Sequence, residues 1–288
     1  MALEGLVNEF GPLAKTVPMF QEGTWQTSAE IAKERITNRE LRNIWLWTAN
    51  FGMYTVENDE EFLYFGGREA NLIFNNIGEA AKQLLENQNY KPTPSEIQAV
   101  HDSVQARHTL KVKLSDLSLT VDNDEWCHFS IDTANWQNMN DTQKLFAERV
   151  YGSMKEREDP QTKKKASDFA EYMEELRKAG KTTTNVYVLN PTYVKSHVPE
   201  GGALVRACWL DGFGYDSDFD AGGRGVDYAN GALRGVRRVR VAEGDTAQKA
   251  YEAAYQKIVG QPHLIKPDQV AGLARVVSNY LDRQKTKE

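Results

Sequence analysis

The chain has 288 residues, enough for one large domain or two modest ones, and its 40% apolar and 26% charged residues are ordinary for a globular, core-forming protein. A net charge of −6 excludes a sequence-blind nucleic-acid binder, which needs an excess of Lys and Arg. The first residues lack the basic and apolar blocks of a secretory signal, and no apolar run approaches the roughly 20 residues that span a bilayer, so a cytoplasmic or virion-associated protein without membrane insertion is expected.

Residues 1–27 mix Pro, Gly and isolated aromatics without a period and read as an extended arm lying on the body. A helix is expected from Ser28, with Ile31, Ala32, Ile36 and Leu41 as an irregular apolar stripe running into the aromatic block Trp45, Trp47, Phe51 and Tyr54. Phe62–Phe65 reads as a short strand, and Asn71–Asn87 as a helix with Ile73, Ile77, Ala80, Ala81 and Leu84 on one face. Thr93-Pro94-Ser95-Glu96 supplies an N-cap, a Pro in the first turn and a Glu to close a capping box, starting a helix that reaches about Arg107. Leu110–Leu114 alternates strictly, with Leu117, Leu119 and Val121 continuing the pattern, and Trp126–Ile131 is a further strand. Helices follow at Asp141–Gly152 and Thr162–Ala179, separated by a polar loop from Lys155 to Lys165. A β-branched strand at Thr183–Leu189 leads into strand and loop from Ala203 to Val241, and two helices close the chain, one from Asp245 to Val259 and one from Asp268 to about Arg283. Helices precede strands in this order, which favours α+β. Cys127 and Cys208 lie in apolar or aromatic runs and are read as buried thiols in a reducing compartment.

The informative segment is Asp211 to Asn230, where sixteen of twenty residues are Asp, Gly, Tyr, Phe, Ser or Asn and where Lys, Glu, Gln, Met and Trp are absent. So much Gly and Asp excludes helix, and so few aliphatic residues argue against core. Well-patterned runs bracket it, Ala203–Leu210 before and Ala232–Val241 after. A polar, aromatic-dotted loop on a rigid sheet is how binding surfaces are built, and these residue types are those of paratopes.

The frame Arg206-Ala207-x-Trp209, Ser217-x-Phe219-x-Ala221, Arg224 and Gly231-Ala232-Leu233-Arg234-Gly235-Val236-Arg237 resembles the end of a C-type lectin-like domain, in the version found in the variable proteins of diversity-generating retroelements of archaeal or viral type. In that family a reverse transcriptase miscopies adenines, so Asn-type codons become codons for Tyr, Asp, Ser, Gly or Phe and never for Lys, Glu, Gln, Met or Trp. The resemblance is sharp over about 35 residues, Arg206–Val241, and loose elsewhere. It implies a single α+β C-type lectin-like domain over 28–242, with a helical insertion around 140–180 and a hypervariable ligand-binding region at about 206–238. An N-terminal arm at 1–27 and a C-terminal helical extension at 243–288 complete the chain. The implied contact residues are Asp211, Gly212, Phe213, Gly214, Tyr215, Asp216, Asp218, Asp220, Gly222, Gly223, Gly225, Asp227 and Tyr228, on the solvent side of a frame held by Trp209, Phe219, Ala221 and Gly231–Val236. The ligand would be a macromolecule, a protein or a cell surface, bound without cofactor or catalysis.

Other readings of the same residues are weaker. Asp216-x-Asp218-x-Asp220 has the rhythm of a calcium loop, yet Ala221 and Asp227 stand where an EF-hand needs Gly and Glu. Gly222-Gly223-Arg224-Gly225 lacks the spacing of a phosphate loop. His101 and His108 share a helix face without further metal ligands, and no Ser elbow or Cys/His pair offers a nucleophile. Arg234, Arg237, Arg238 and Arg240 alternate partly along a strand beside an Asp-rich segment that would neutralise them, and Arg237 or Arg240 is expected to pair with carboxylates of the loop. The alternatives left standing are a structural or assembly protein with a polar surface loop and, least supported, a metal-dependent enzyme.

Overall fold

The computed structural model describes residues 6–20, 24–87, 89–158, 165–199, 201–214, 218–223 and 231–236. The chain divides into two compact units, residues 8–235 and residues 1–7 with 236–288, and the first holds nearly all of the described elements. The expected C-terminal helices lie outside the described residues.

The segment read as an arm is folded where it is described. β1 (Leu6–Phe10) and the short helix α1 (Leu13–Thr16) precede Phe20, and Leu13, Phe20 and Trp25 are buried. Helix α2 (Ser28–Thr37) starts at a Thr27/Glu30 capping box and ends well before the aromatic block. That block is a strand, β2 (Leu46–Glu57), and this corrects the sequence reading. Its first ten residues are buried without alternation because both faces are covered, so the period-2 signal of a half-exposed strand is missing. Leu46 and Tyr54 face the main core, while Trp47, Phe51 and Met53 stand outside that cluster.

β3 (Glu60–Gly66) returns antiparallel to β2. The single helix expected over 71–87 is two, α3 (Leu72–Asn75) and α4 (Ile77–Asn87), broken at Asn76. Helix α5 (Pro94–Gln105) has the Thr93/Glu96 capping box that the sequence promised. β4 (Thr109–Lys113), β5 (Thr120–Val121) and β6 (Trp126–Asp132) follow, a 3-10 turn at Leu114–Leu117 interrupting the expected alternation. Helices α6 (Asp141–Tyr151) and α7 (Asp168–Lys178) flank two short paired strands, β7 (Arg157–Glu158) and β8 (Lys165–Ala166), within what the sequence suggested was loop and helix.

These two helices, expected as an insertion around 140–180, pack into the core. Phe146, Val150 and Tyr151 of α6 and Phe169, Tyr172 and Leu176 of α7 are fully buried, at spacings that line one face of each helix. They join Ile31 and Ala32 of α2 over the inner face of the sheet. Each large side chain so buried contributes roughly 1.5–3 kcal/mol, so this helical layer is a main source of stability.

β9 (Thr183–Leu189) and α8 (Pro191–His197) lead to β10 (Leu204–Leu210), β11 (Phe219–Gly223) and β12 (Ala232–Val236). The main sheet runs β1-β12-β2-β10-β11-β9-β6-β5, with β3 and β4 branching from β2. The mixture is α+β, with helices and strands interleaved along the chain rather than in two blocks. Cys127 and Cys208 are buried free thiols whose pKa burial raises.

Candidate functional site

The Asp- and Gly-rich segment leaves β10 and re-enters the sheet as β11, forming an antiparallel hairpin in which Trp209 pairs with Asp220 and Leu210 with Phe219. The Asp211 N–H donates to the Asp218 carbonyl at 2.9 Å and closes the hairpin's base. The register is irregular between Ala207 and Trp209, and the strand's period of two puts Cys208 and Leu210 in the core while Trp209, on the other face, stays half-exposed.

Two buried arginines hold this hairpin by its backbone. Arg35 of α2, fully buried, donates to the carbonyls of Asp211 (2.6 Å), Leu210 (3.2 Å) and Ile44 (2.5 Å). Arg206 of β10, also fully buried, donates to the Gly222 carbonyl (3.1 Å), Asn89 (2.8 Å) and Glu125 (2.8 Å). Burial lowers the Arg206 pKa, since its charge has left water, and the Glu125 carboxylate compensates it. Tyr54 adds a wedge: its hydroxyl donates to the Ala221 carbonyl (3.2 Å) and accepts from the Leu189 N–H (3.3 Å), spanning β11 and β9.

Of the thirteen expected contact residues, Tyr215, Asp216, Gly225, Asp227 and Tyr228 lie outside the described residues. The other eight do not share one solvent face. Gly214 is exposed and Asp211 half-buried. Gly212 is buried against Asn43, and a Cβ there would come within 2.8 Å of the Asn43 backbone. Phe213 is buried beneath Tyr172, Arg35 and Arg42. Asp218 is buried, its Oδ1 accepting from the Asn185 N–H at 2.7 Å, so it latches the hairpin to β9. Gly212, Phe213 and Asp218 therefore belong to the frame. A short polar loop lacks aliphatic residues, yet its ends must still pack, and the sequence does not mark which positions those are.

Asp220 and Gly222 take the opposite side of β11 from the core residues Phe219 and Ala221, as the strand's period of two requires. Gly223 ends the strand opposite Ala207. A Cβ on Gly222 would stand 2.3 Å from the Trp126 ring, so the absence of a side chain there lets the indole lie over the strand. Trp209 and Trp126 with Asn123, Asp124, Glu125 and Asp220 line an open depression of about 630 Å3. Trp209, expected as frame, is thus also lining, and its ring leans on Trp45 (centroids 5.1 Å) and Trp47 (5.5 Å). The contribution of residues 123–126 was missed from sequence; an acidic turn, Asp122-Asn123-Asp124-Glu125, placed before a Trp was the available signal.

Arg234 pairs with Glu34 of α2. Arg237, Arg238 and Arg240 lie outside the described residues. His101 stacks on Tyr64 (4.9 Å). Among the described residues no group of three His, Cys, Asp or Glu is placed to hold a metal ion, and no helix is long and apolar enough to cross a membrane.

The fold is a C-type lectin fold. No family model matches the chain, and no curated protein matches it in sequence. A solved structure described as "Accommodation of massive sequence variation in Nanoarchaeota by the C-type lectin fold" is similar in three dimensions, with a TM-score of 0.51 at 10% identity, covering 81% of this chain and 97% of the other.

Proposed function

We propose that this protein is a non-catalytic ligand binder whose segment from Asp211 to Asn230 is a diversified surface on the C-type lectin-like scaffold, of the kind a diversity-generating retroelement produces. One observation carries the reading: the frame grips this segment through its main chain. Arg35, Arg206 and Tyr54 all bond to backbone carbonyls of residues 210–222, and those bonds persist whatever side chains the segment bears. A surface that must accept many sequences needs support of this kind, because backbone groups are common to every variant. The adenine-limited composition of the segment points the same way, as does the description of the structural neighbour, whose fold accommodates massive sequence variation. The ligand in this reading is macromolecular, a protein or cell-surface component, and binding needs no cofactor.

Sequences of this locus from sibling isolates test it. Substitutions should concentrate at Asp211, Gly214, Tyr215, Asp216, Asp220, Gly222, Gly223, Gly225, Asp227 and Tyr228. Gly212, Phe213 and Asp218 should be spared because their surroundings leave no freedom. A template copy of the segment beside a reverse-transcriptase gene should accompany them. Changes scattered evenly over the chain would overturn the proposal.

A further inference from the structure

The depression beside β11 has a chemistry of its own. Asp220 is 9% exposed, and one of its carboxylate oxygens accepts from the Gly222 N–H at 2.6 Å. Its other oxygen has no hydrogen-bond partner among the described residues, although Asp220 lines an open space. The surroundings neutralise it only in part. Asp211 and Asp218 lie close enough to disfavour its charge, and the nearby Arg206 guanidinium is already committed to Glu125, Asn89 and the Gly222 carbonyl. Burial pushes the carboxyl well above the usual carboxylate range, and neither the Gly222 N–H nor the Arg206 charge offsets it.

Two indoles border the same group. Trp209 is its cross-strand pair on β10, and Trp126 covers Gly222, two residues along the same side of β11. Asp124 and Glu125 complete the lining, the Glu125 carboxylate being held by Arg206, so the opening is acidic and bordered by two indoles. An aromatic face attracts a cation, and a planar cation can stack on it while donating edge-on to a carboxylate. An ammonium group matches this less well, being compact and strongly hydrated.

Resting on the reading of this face as a ligand-binding surface, we propose that the depression is a receptor for the guanidinium of an arginine side chain presented by the partner, with Asp220 as its acceptor and Trp126 and Trp209 as its stacking walls. In this arrangement the residues at 220 and 222 set what is recognised. Asp220 supplies the charge, and Gly222 supplies the room in which Trp126 lies.

The test uses full-length protein labelled with 15N at tryptophan, titrated with N-acetyl-arginine amide and, in parallel, with its uncharged isostere N-acetyl-citrulline amide and with N-acetyl-lysine amide. The arginine probe should produce saturable shifts of the Trp126 and Trp209 indole signals, assigned by Trp→Phe variants, with the signals of Trp25 and Trp136 unmoved. Citrulline amide should bind roughly tenfold more weakly, as the loss of one charge-assisted hydrogen bond requires, and lysine amide should fall between them. Asp220→Asn, which keeps an acceptor for the Gly222 N–H, should weaken the arginine probe by a similar factor while leaving the other indole signals in place. Citrulline amide binding as tightly as arginine amide would overturn the cation assignment and leave a binding depression standing. No saturable shift at Trp126 or Trp209, or an undiminished affinity in Asp220→Asn, would overturn the proposal outright. The diversified-surface reading is decided separately, by the sibling sequences.

Discussion

Replacing Arg206 by Met tests the central claim about how the hairpin is held. The guanidinium is fully buried and donates to Glu125, Asn89, the Gly222 carbonyl and, at 3.4 Å, the Tyr193 hydroxyl. Met fills much of the same volume without any donor. Glu125 and Asn89 are themselves only 8% and 7% exposed, so the substitution takes the Arg206 donor from a carboxylate and a carbonyl with little water to replace it. Breaking a buried ion pair from one side costs about 3–5 kcal/mol, against less than about 1 kcal/mol for an exposed pair such as Lys33 with Asp168. For a unit of this size each kcal/mol moves Tm by about 2–4 °C, so the melt should fall by roughly 6–20 °C. The buried Glu125 charge, deprived of the Arg206 guanidinium, should account for part of this, and adding Glu125→Gln to Arg206→Met should therefore recover about 1–3 kcal/mol relative to the sum of the single changes. Urea unfolding followed by tryptophan fluorescence gives all four corners of the cycle. A loss below about 1 kcal/mol for Arg206→Met, or strict additivity with Glu125→Gln, would refute the view that this buried pair supports the hairpin.

Asp218→Ala should cost about 1–3 kcal/mol by leaving the Asn185 N–H unpaired, while Gly214→Ser at the exposed tip should stay within about 0.5 kcal/mol; equal effects in urea unfolding would contradict the division of the loop into frame and surface. The Asp220 carboxyl holds its proton more tightly in the folded state than in the unfolded chain. Its contribution is therefore fully present below the ordinary carboxylate pKa and is lost as pH rises toward the elevated folded value, so Asp220→Asn should match the parent near about pH 3 and exceed it in stability as pH approaches 7. Parallel stability–pH curves for the two proteins would dismiss that reasoning. Gly222→Ser should displace the Trp126 ring without unfolding the chain, read as increased acrylamide quenching of that tryptophan at a cost of roughly 1–3 kcal/mol; unchanged quenching would mean that the ring does not rest on the strand.

Local chemistry made part of this molecule legible. The Thr93-Pro94-Ser95-Glu96 start and the helices expected at Asp141–Gly152 and Thr162–Ala179 depend on neighbours a few residues apart, and each appears in the structure as an element of the expected type. The frame from Arg206 to Val236 resembles the end of a C-type lectin-like domain, and the chain has the C-type lectin fold that this resemblance implies. The residue types of Asp211–Asn230 likewise marked that segment as neither helix nor ordinary core.

Tertiary structure decided what sequence spacing could not encode. β2 is buried on both faces, so its sequence carries no alternation, and only the layers packed on either side make it a central strand. Gly212, Phe213 and Asp218 resemble their exposed neighbours in type; they are inside because Asn43, Tyr172 and Asn185, far away in sequence, close over them. The depression exists because the turn at residues 123–126 is brought against β10 and β11, some 85 to 95 residues further along the chain. Loop composition records which residues a surface is made of. Which of them water reaches is set by long-range packing, and that is a property of the folded chain alone.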